Sequence, residues 1–136
     1  MRVLALDFGE KRTGIAVSDP SGTIAHPLDV MKTEDILNNA AKFRRLLQDY
    51  AIELIIVGLP VSLDGSEQEQ ATRIRHQAAS LEELYGLTVE FTDERLSSKE
   101  AKRALRQLGY SERDMRGKTD KIAASIVLQA WLDSRP

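Results

Sequence analysis

The stretch LALDFGEKRTGIAVSD, residues 4–19, decides the fold that we predict for this chain. Residues 3–6 form an unbroken apolar run, which is typical of a strand that is buried on both faces. Asp7 follows directly, and burying a carboxylate there is costly unless a positive group meets it. Residues 13–17 return as a second strand after a short turn, which predicts an antiparallel hairpin.

Asp7 has two interpretations at this point. Asp is common in tight turns, so the residue could simply cap the turn between the two strands. The other interpretation is a metal ligand that a central strand holds rigidly, close to Gly9, whose missing side chain lets a ligand approach the backbone. The local sequence leaves both open.

The composition is that of a globular protein. The chain has 136 residues, of which 42% are hydrophobic, and we expect residues 1–136 to form a single domain. It has no Cys, which excludes disulfides and thiolate chemistry and fits a reducing compartment. No apolar run approaches the roughly 20 residues of a membrane span, and no signal-type segment opens the chain. We therefore expect a soluble, cytoplasmic protein with no membrane partner.

The charge is unevenly distributed. The net charge is −2 and the pI about 5.7, whereas a nucleic-acid-binding domain is typically basic overall. Residues 95–118, however, contain eight Lys or Arg and three acids. A local basic surface on an acidic body is compatible with phosphate binding, and a solvated helix face is the other interpretation.

The hydrophobic pattern predicts three strands followed by alternating helices and strands. Residues 23–30 are the third strand, and Pro27 predicts that it lies at a sheet edge. Thr33 is the expected N-cap of one amphipathic helix over residues 34–50. The other predicted elements are strands over 54–57 and 87–91, helices beginning near Ser66 and Ser97, a loop over 110–118 and a helix over 119–131. This order predicts an α/β fold: a five-stranded mixed sheet, its first strand central, with helices on both faces.

Four acids lie at the ends of predicted elements. Asp7 ends the first strand, Asp93 and Glu94 end the fifth, and Asp120 opens the last helix. Strand ends in such sheets gather at one edge, where ligands bind, and two alanines after Asp120 would let that helix approach the sheet. If these carboxylates converge, the absence of Cys and of paired His favours Mg²⁺ or Mn²⁺, which could activate water for phosphodiester hydrolysis. The spacing alone leaves the convergence open, because a chain with 21 acids always places some at strand ends.

Four segments resemble the YqgF/RuvX family. They are residues 4–19, 55–71 (IIVGLPVSLDGSEQEQA), 91–98 (FTDERLSS) and 119–132 (TDKIAASIVLQAWL). This family comprises ribonuclease-H-like bacterial proteins that are related to Holliday-junction resolvases and carry the name pre-16S rRNA nuclease. The resemblance implies a ribonuclease-H-like fold and a metal-dependent nuclease that matures the 5′ end of pre-16S rRNA. A resolvase-type DNA endonuclease is the alternative within the same fold.

The resemblance also implies roles for individual residues. The first acid of the family falls on Asp7, its D-E-R motif on Asp93, Glu94 and Arg95, and its last acid on Asp120. The implied metal ligands are Asp7, Glu94 and Asp120, with Asp93 as a further catalytic residue. The resolvases are expected to carry an acid at the end of the fourth strand, where this chain has Gly-Leu-Pro, so the metal site would depend on Glu94 instead.

Five basic residues are predicted to guide the nucleic-acid backbone towards the metal: Lys11, Arg12, Arg95, Lys99 and Arg103. Lys99 and Arg103 are four residues apart and would share one helix face. Such contacts contribute affinity rather than base specificity. The expected partners are pre-rRNA, branched DNA as the alternative, and ribosomal particles, and a homodimer is compatible with the sequence.

Two other functions remain open from the residues. Asp7-Phe8-Gly9 before a returning strand also resembles the first phosphate loop of actin-like ATPases and sugar kinases, although those proteins close two such domains over a nucleotide. A non-catalytic RNA-binding module of ribosome assembly would keep the fold without turnover. We expect His26 and His76 to be incidental and Trp131 to be a core or interface residue.

Overall fold

The computed structural model describes residues 1–60, 69–93, 103, 106–111, 113 and 120–135. In chain order the elements are β1 (Arg2–Phe8), β2 (Arg12–Ser18), β3 (Ala25–Lys32), α1 (Thr33–Leu37), α2 (Ala41–Asp49), β4 (Ile52–Leu59), α3 (Glu69–Tyr85), β5 (Thr88–Asp93) and α4 (Asp120–Asp133). The helix predicted to begin near Ser97 and the loop predicted over 110–118 lie largely outside the described residues. None of the helices in these ranges is long and apolar enough to cross a bilayer.

The five strands form one mixed sheet in the order β3-β2-β1-β4-β5. The strand β1 is central, as predicted, and pairs antiparallel with β2 and parallel with β4. The edge position of β3 confirms the prediction from Pro27, which has no N–H to donate. This strand begins later than predicted because the N–H groups of Thr23 and Ile24 donate to the Asp19 carboxylate, at 2.8 and 2.9 Å, and so belong to the preceding turn.

Helices cover both faces of the sheet, as predicted. On one side, the α1–α3 face, Leu4 and Leu6 of β1 join a hydrophobic cluster with residues of α1, α2 and α3. On the other side, the α4 face, Val3 and Ala5 of β1 pack against α4. Trp131 belongs to this second cluster and is only 8% exposed, which confirms it as a core residue.

The single helix predicted over residues 34–50 is wrong. The chain forms α1 and α2 instead, separated by residues 38–40. Asn39 has a φ of 63°, a left-handed conformation that Asn tolerates better than most residues and that interrupts a helix. Thr33 is not the N-cap either, because Lys32 occupies that position and no side-chain cap hydrogen bond forms.

Candidate active site at the carboxyl end of the central strand

Asp7 lies near the carboxyl end of β1, where the register places it opposite Gly14 of β2. Successive side chains of a strand point to opposite faces of the sheet. Leu6 and Phe8 belong to the cluster on the α1–α3 face, so Asp7 lies on the α4 face together with Ala5. The residue is half-buried and sits on the central strand of the sheet.

Both strand neighbours of Asp7 are glycines. Gly14 lies directly opposite on β2. On the other side, β1 and β4 pair Leu6 with Val57, so the residue beside Asp7 is Gly58. Both glycines are buried. The sequence indicates Gly58 only as the place of a missing acid and gives no signal for Gly14, because the cross-strand register is not visible in it.

The turn after Asp7 is fixed by Thr33, a residue whose role the sequence analysis missed. Its buried hydroxyl donates to the Gly9 carbonyl at 2.9 Å and lies 2.7 Å from the Thr13 hydroxyl, and its N–H donates to the Lys11 carbonyl at 3.0 Å. A Cβ on Gly9 would lie 2.4 Å from the Arg12 carbonyl oxygen, so this position requires glycine. The backbone that carries Lys11 and Arg12 is therefore held in one conformation.

Asp93 does not share the face of Asp7. It is the last residue of β5 and pairs with Leu59 of β4, which belongs to the cluster on the α1–α3 face. Paired residues of neighbouring strands lie on the same face, so Asp93 falls on that face too. One strand, β4, separates it from β1. Glu94 follows directly and lies outside the described residues.

Asp120 is the first residue of α4, and its side chain lies outside the described residues. Near the other end of α4, Trp131 lines a small cavity with Val3 at the start of β1, so α4 runs antiparallel to β1. The helix therefore begins towards the end of the sheet that carries Asp7. Ala124 is fully buried against the sheet, as predicted for a close approach, whereas Ala123 is only half-buried.

The structure describes three of the five predicted nucleic-acid-binding residues. Lys11, Arg12 and Arg103 are all exposed. Arg95 and Lys99 lie outside the described residues, so their shared face with Arg103 stays a prediction. The two histidines, His26 and His76, are exposed, and both are distant from Asp7 in the sequence.

The proposed metal ligands are only partly within the described structure. In the described ranges, no three His, Cys, Asp or Glu side chains are grouped so that they could hold a metal ion. Asp7 and Asp93 belong to these ranges, whereas Glu94 and the Asp120 side chain do not. The predicted ligand set therefore remains a prediction.

The comparisons with known proteins identify the family. A family model described as "RuvX: Holliday junction resolvase" matches residues 1–134. The chain belongs to the RuvX family. A relative from Dictyoglomus thermophilum named "Putative pre-16S rRNA nuclease" is 40% identical over 98% of this chain and 96% of its own length. A relative of the same name from Anaeromyxobacter sp. is 40% identical over 99% and 98%. This RuvX protein is thus a nuclease, an enzyme that hydrolyses phosphodiester bonds.

Solved structures show that the RuvX chain has the resolvase fold. RuvC of T. thermophilus in complex with a Holliday junction has a TM-score of 0.62 and 16% identity, and covers 96% of this chain and 91% of that one. The fowlpox virus resolvase in complex with Holliday junction DNA has a TM-score of 0.56 and 16% identity, and covers 98% of both chains. These likenesses confirm the ribonuclease-H-like fold.

Proposed function

We propose that this protein is a divalent-metal-dependent nuclease whose active centre lies on the α4 face at the carboxyl end of β1. One observation carries the proposal. A half-buried carboxylate, Asp7, stands on the central strand between two buried glycines, at the end of the sheet towards which α4 begins. A rigid strand of this kind holds a catalytic group in place, and flanking glycines permit the close approach of other ligands.

The proposed metal ligands are Asp7, Glu94 and Asp120. Asp93 ends β5 on the α1–α3 face, and Glu94 follows it outside the described residues. Asp93, predicted as a further catalytic residue, stands on the other face with one strand between it and β1, so it is not part of the proposed ligand set. Carboxylate oxygens in a chain without Cys suit Mg²⁺ or Mn²⁺. When bound, such an ion would neutralise charge on the scissile phosphate and activate the attacking water.

The proposed substrate is the 5′ region of the pre-16S rRNA precursor, free or within ribosomal particles. The names of relatives that are about 40% identical over nearly the whole chain support this substrate. A four-way DNA junction is the second candidate, because the family model that matches the chain is described as a Holliday junction resolvase. The two candidates share the chemistry at the phosphodiester bond and differ in the shape of the nucleic acid.

A comparison of the parent protein with Asp7→Asn tests the proposal. Both proteins are incubated with the rRNA precursor and with a four-way DNA junction, with Mg²⁺ or Mn²⁺ and with EDTA. We expect the parent to cleave the precursor only with metal. Asp7→Asn should bind the RNA as well or better but no longer cleave it, because the change removes a metal ligand and leaves the basic residues.

Asp49→Asn serves as the matched control, since it makes the same chemical change at an exposed position on α2. This variant should cleave like the parent. If Asp7→Asn cleaves as fast as Asp49→Asn, Asp7 is not a catalytic ligand. If the parent binds the RNA but cleaves neither substrate with either metal, the non-catalytic assembly module is the better description.

A further inference from the structure

We propose that Arg12 and Lys32 form a subsite for a backbone phosphate of the nucleic acid, on the α4 face between Asp7 and the β3 edge of the sheet. The inference rests on the proposed nuclease function and deepens it. It adds Lys32, which no sequence motif indicates, to the predicted nucleic-acid-binding residues. It also implies that the substrate strand runs across the sheet from Asp7 towards β3.

The register brings the two residues together. Arg12 of β2 pairs directly with Lys32 of β3. Met31, the neighbour of Lys32, belongs to the cluster on the α1–α3 face, so Lys32 and its partner Arg12 lie on the α4 face. Asp7 lies on this face too, opposite Gly14, two residues along β2 from Arg12. From strand dimensions, the Cα atoms of Arg12 and Lys32 lie roughly 8 and 12 Å from that of Asp7.

This pairing is unfavourable for the sheet by itself. Two like charges directly opposite each other destabilise an antiparallel pair. Both side chains are exposed, and Lys32 makes no ion pair within the described part of the chain. Lys42 is different, because its Nζ lies 3.2 Å from a carboxylate oxygen of Asp29. A phosphate beside Lys32 and Arg12 would accept a charge-assisted contact from each of them.

The surroundings suit a nucleic-acid backbone. An open groove of about 830 Å³ runs beside the pair, and its lining is Gly9, Glu10, Lys11, Arg12, Lys32 and Glu34. Three cations against two carboxylates leave this groove positive, although the whole chain has a net charge of −2. The hydrogen bond from Thr33 to Gly9 ties the backbone next to Lys32 to the turn before Arg12, so the two cations stand on a rigid support.

Edge protection is the competing explanation. Charged residues, Lys above all, often stand on edge strands because they prevent pairing with a second sheet. Lys32 ends the edge strand β3, so it could serve this purpose alone. In that case its removal would change the oligomeric state of the protein and leave its affinity for RNA unchanged.

The test measures how the affinity for a single-stranded RNA oligonucleotide depends on salt. Fluorescence anisotropy in EDTA, over a series of KCl concentrations, compares the parent with Arg12→Gln/Lys32→Gln. We expect weaker binding and a slope of log K against log salt that is smaller by up to about 1.4, since each lost contact to a single strand removes about 0.7. Lys32→Gln alone should remove about half of this change.

Lys42→Gln/Arg45→Gln is the matched control, because it removes the same charge from exposed positions on α2, which packs on the opposite face. Its salt slope should stay like that of the parent. Equal slopes for the two double variants would overturn the subsite, as would a parent that does not bind the RNA. A variant that dimerises on size exclusion while its slope is unchanged would establish edge protection instead.

The outcomes for the subsite and for the nuclease are separate. Binding is measured without metal and without cleavage, whereas the nuclease proposal depends on cleavage by Asp7→Asn. If the salt slope falls as expected but Asp7→Asn still cleaves, the phosphate subsite stands and the role of Asp7 fails. If Asp7→Asn is inactive and the salt slope is unchanged, the nuclease stands and the subsite fails.

Discussion

Gln129 of α4 accepts a hydrogen bond from the backbone N–H of Ala25 at the start of β3, with 2.9 Å between Oε1 and N. Its Nε2 donates to the Thr23 carbonyl and to a carboxylate oxygen of Asp133, each at 3.0 Å. The side chain is only 3% exposed, and its donors and acceptor are thus satisfied. This amide ties the second half of α4 to the start of β3.

We expect Gln129→Leu to lower the free energy of unfolding by about 1–3 kcal/mol. The change leaves the buried Ala25 N–H without its partner, and an unpaired buried polar group costs about that much; the Thr23 carbonyl, on an exposed residue, can bond water instead. Urea unfolding measures the loss. Gln48→Leu on α2, an exposed position, is the control and should change stability by no more than about 0.5 kcal/mol. Equal stability of the two variants would mean that the bridge does not hold α4.

Thr33→Val should reduce both stability and cleavage. The substitution keeps the shape of the side chain but removes the hydroxyl that bonds Gly9 and Thr13, at a cost of about 1–2 kcal/mol. The turn that carries Lys11 and Arg12 would then be less rigid. Thr33→Ser keeps the hydroxyl and should retain most of the cleavage rate, measured in single turnover. If Thr33→Val cleaves faster than Thr33→Ser, the hydroxyl does not position this turn.

Gly9→Ala should damage the same turn from its other side. The new Cβ would meet the Arg12 carbonyl oxygen at 2.4 Å, and a backbone atom cannot move aside cheaply. Gly86→Ala is the control: its φ of 70° is strained for alanine, but a Cβ there meets no atom within 4 Å. Gly86→Ala should lose about 1–2 kcal/mol of stability from this strain. Gly9→Ala should lose at least as much from its clash, and only Gly9→Ala should also lose nucleic-acid cleavage. An active Gly9→Ala would show that the turn tolerates a shift.

Asp19 gives the protein a pH-dependent contribution to stability. Desolvation raises the pKa of its carboxyl, but hydrogen bonds from the Ile24 N–H, the Ser21 hydroxyl and the Thr23 N–H outweigh it and lower the pKa from 3.8 to about 2. Because the folded pKa is below the unfolded one, this stability is present above about pH 4 and is lost as the pH falls towards 2.

Asp19→Asn should therefore be less stable than the parent at neutral pH, and the difference should shrink between pH 4 and 2. Urea unfolding across this pH range measures it, with Asp49→Asn as the control for the loss of one carboxylate. A difference that stays constant down to pH 2 would show that the ionised form of Asp19 is not favoured in the folded protein.

The sequence by itself determined which strand is central, which one lies at an edge, and that Asp7 stands near the end of the central strand. Unbroken apolar runs mark strands that are buried on both faces, and these runs placed β1 at the centre of the sheet. Pro27 indicated the edge strand, because a residue without an N–H cannot donate the hydrogen bond that an inner strand needs. These signals are local and strong, and any competing arrangement would have exposed the apolar runs or left Pro27 inside the sheet.

Only the tertiary structure decided how distant residues combine. The break at Asn39 was invisible because the apolar pattern of residues 34–50 fits one continuous helix. Thr33 is a residue type that commonly caps helices. Its hydroxyl instead donates to the carbonyl of Gly9, more than twenty residues earlier in the chain. The faces of Asp7 and Asp93, and the pairing of Arg12 with Lys32, follow from the register between strands. A shift of one residue would reverse every face, and long-range packing sets that register.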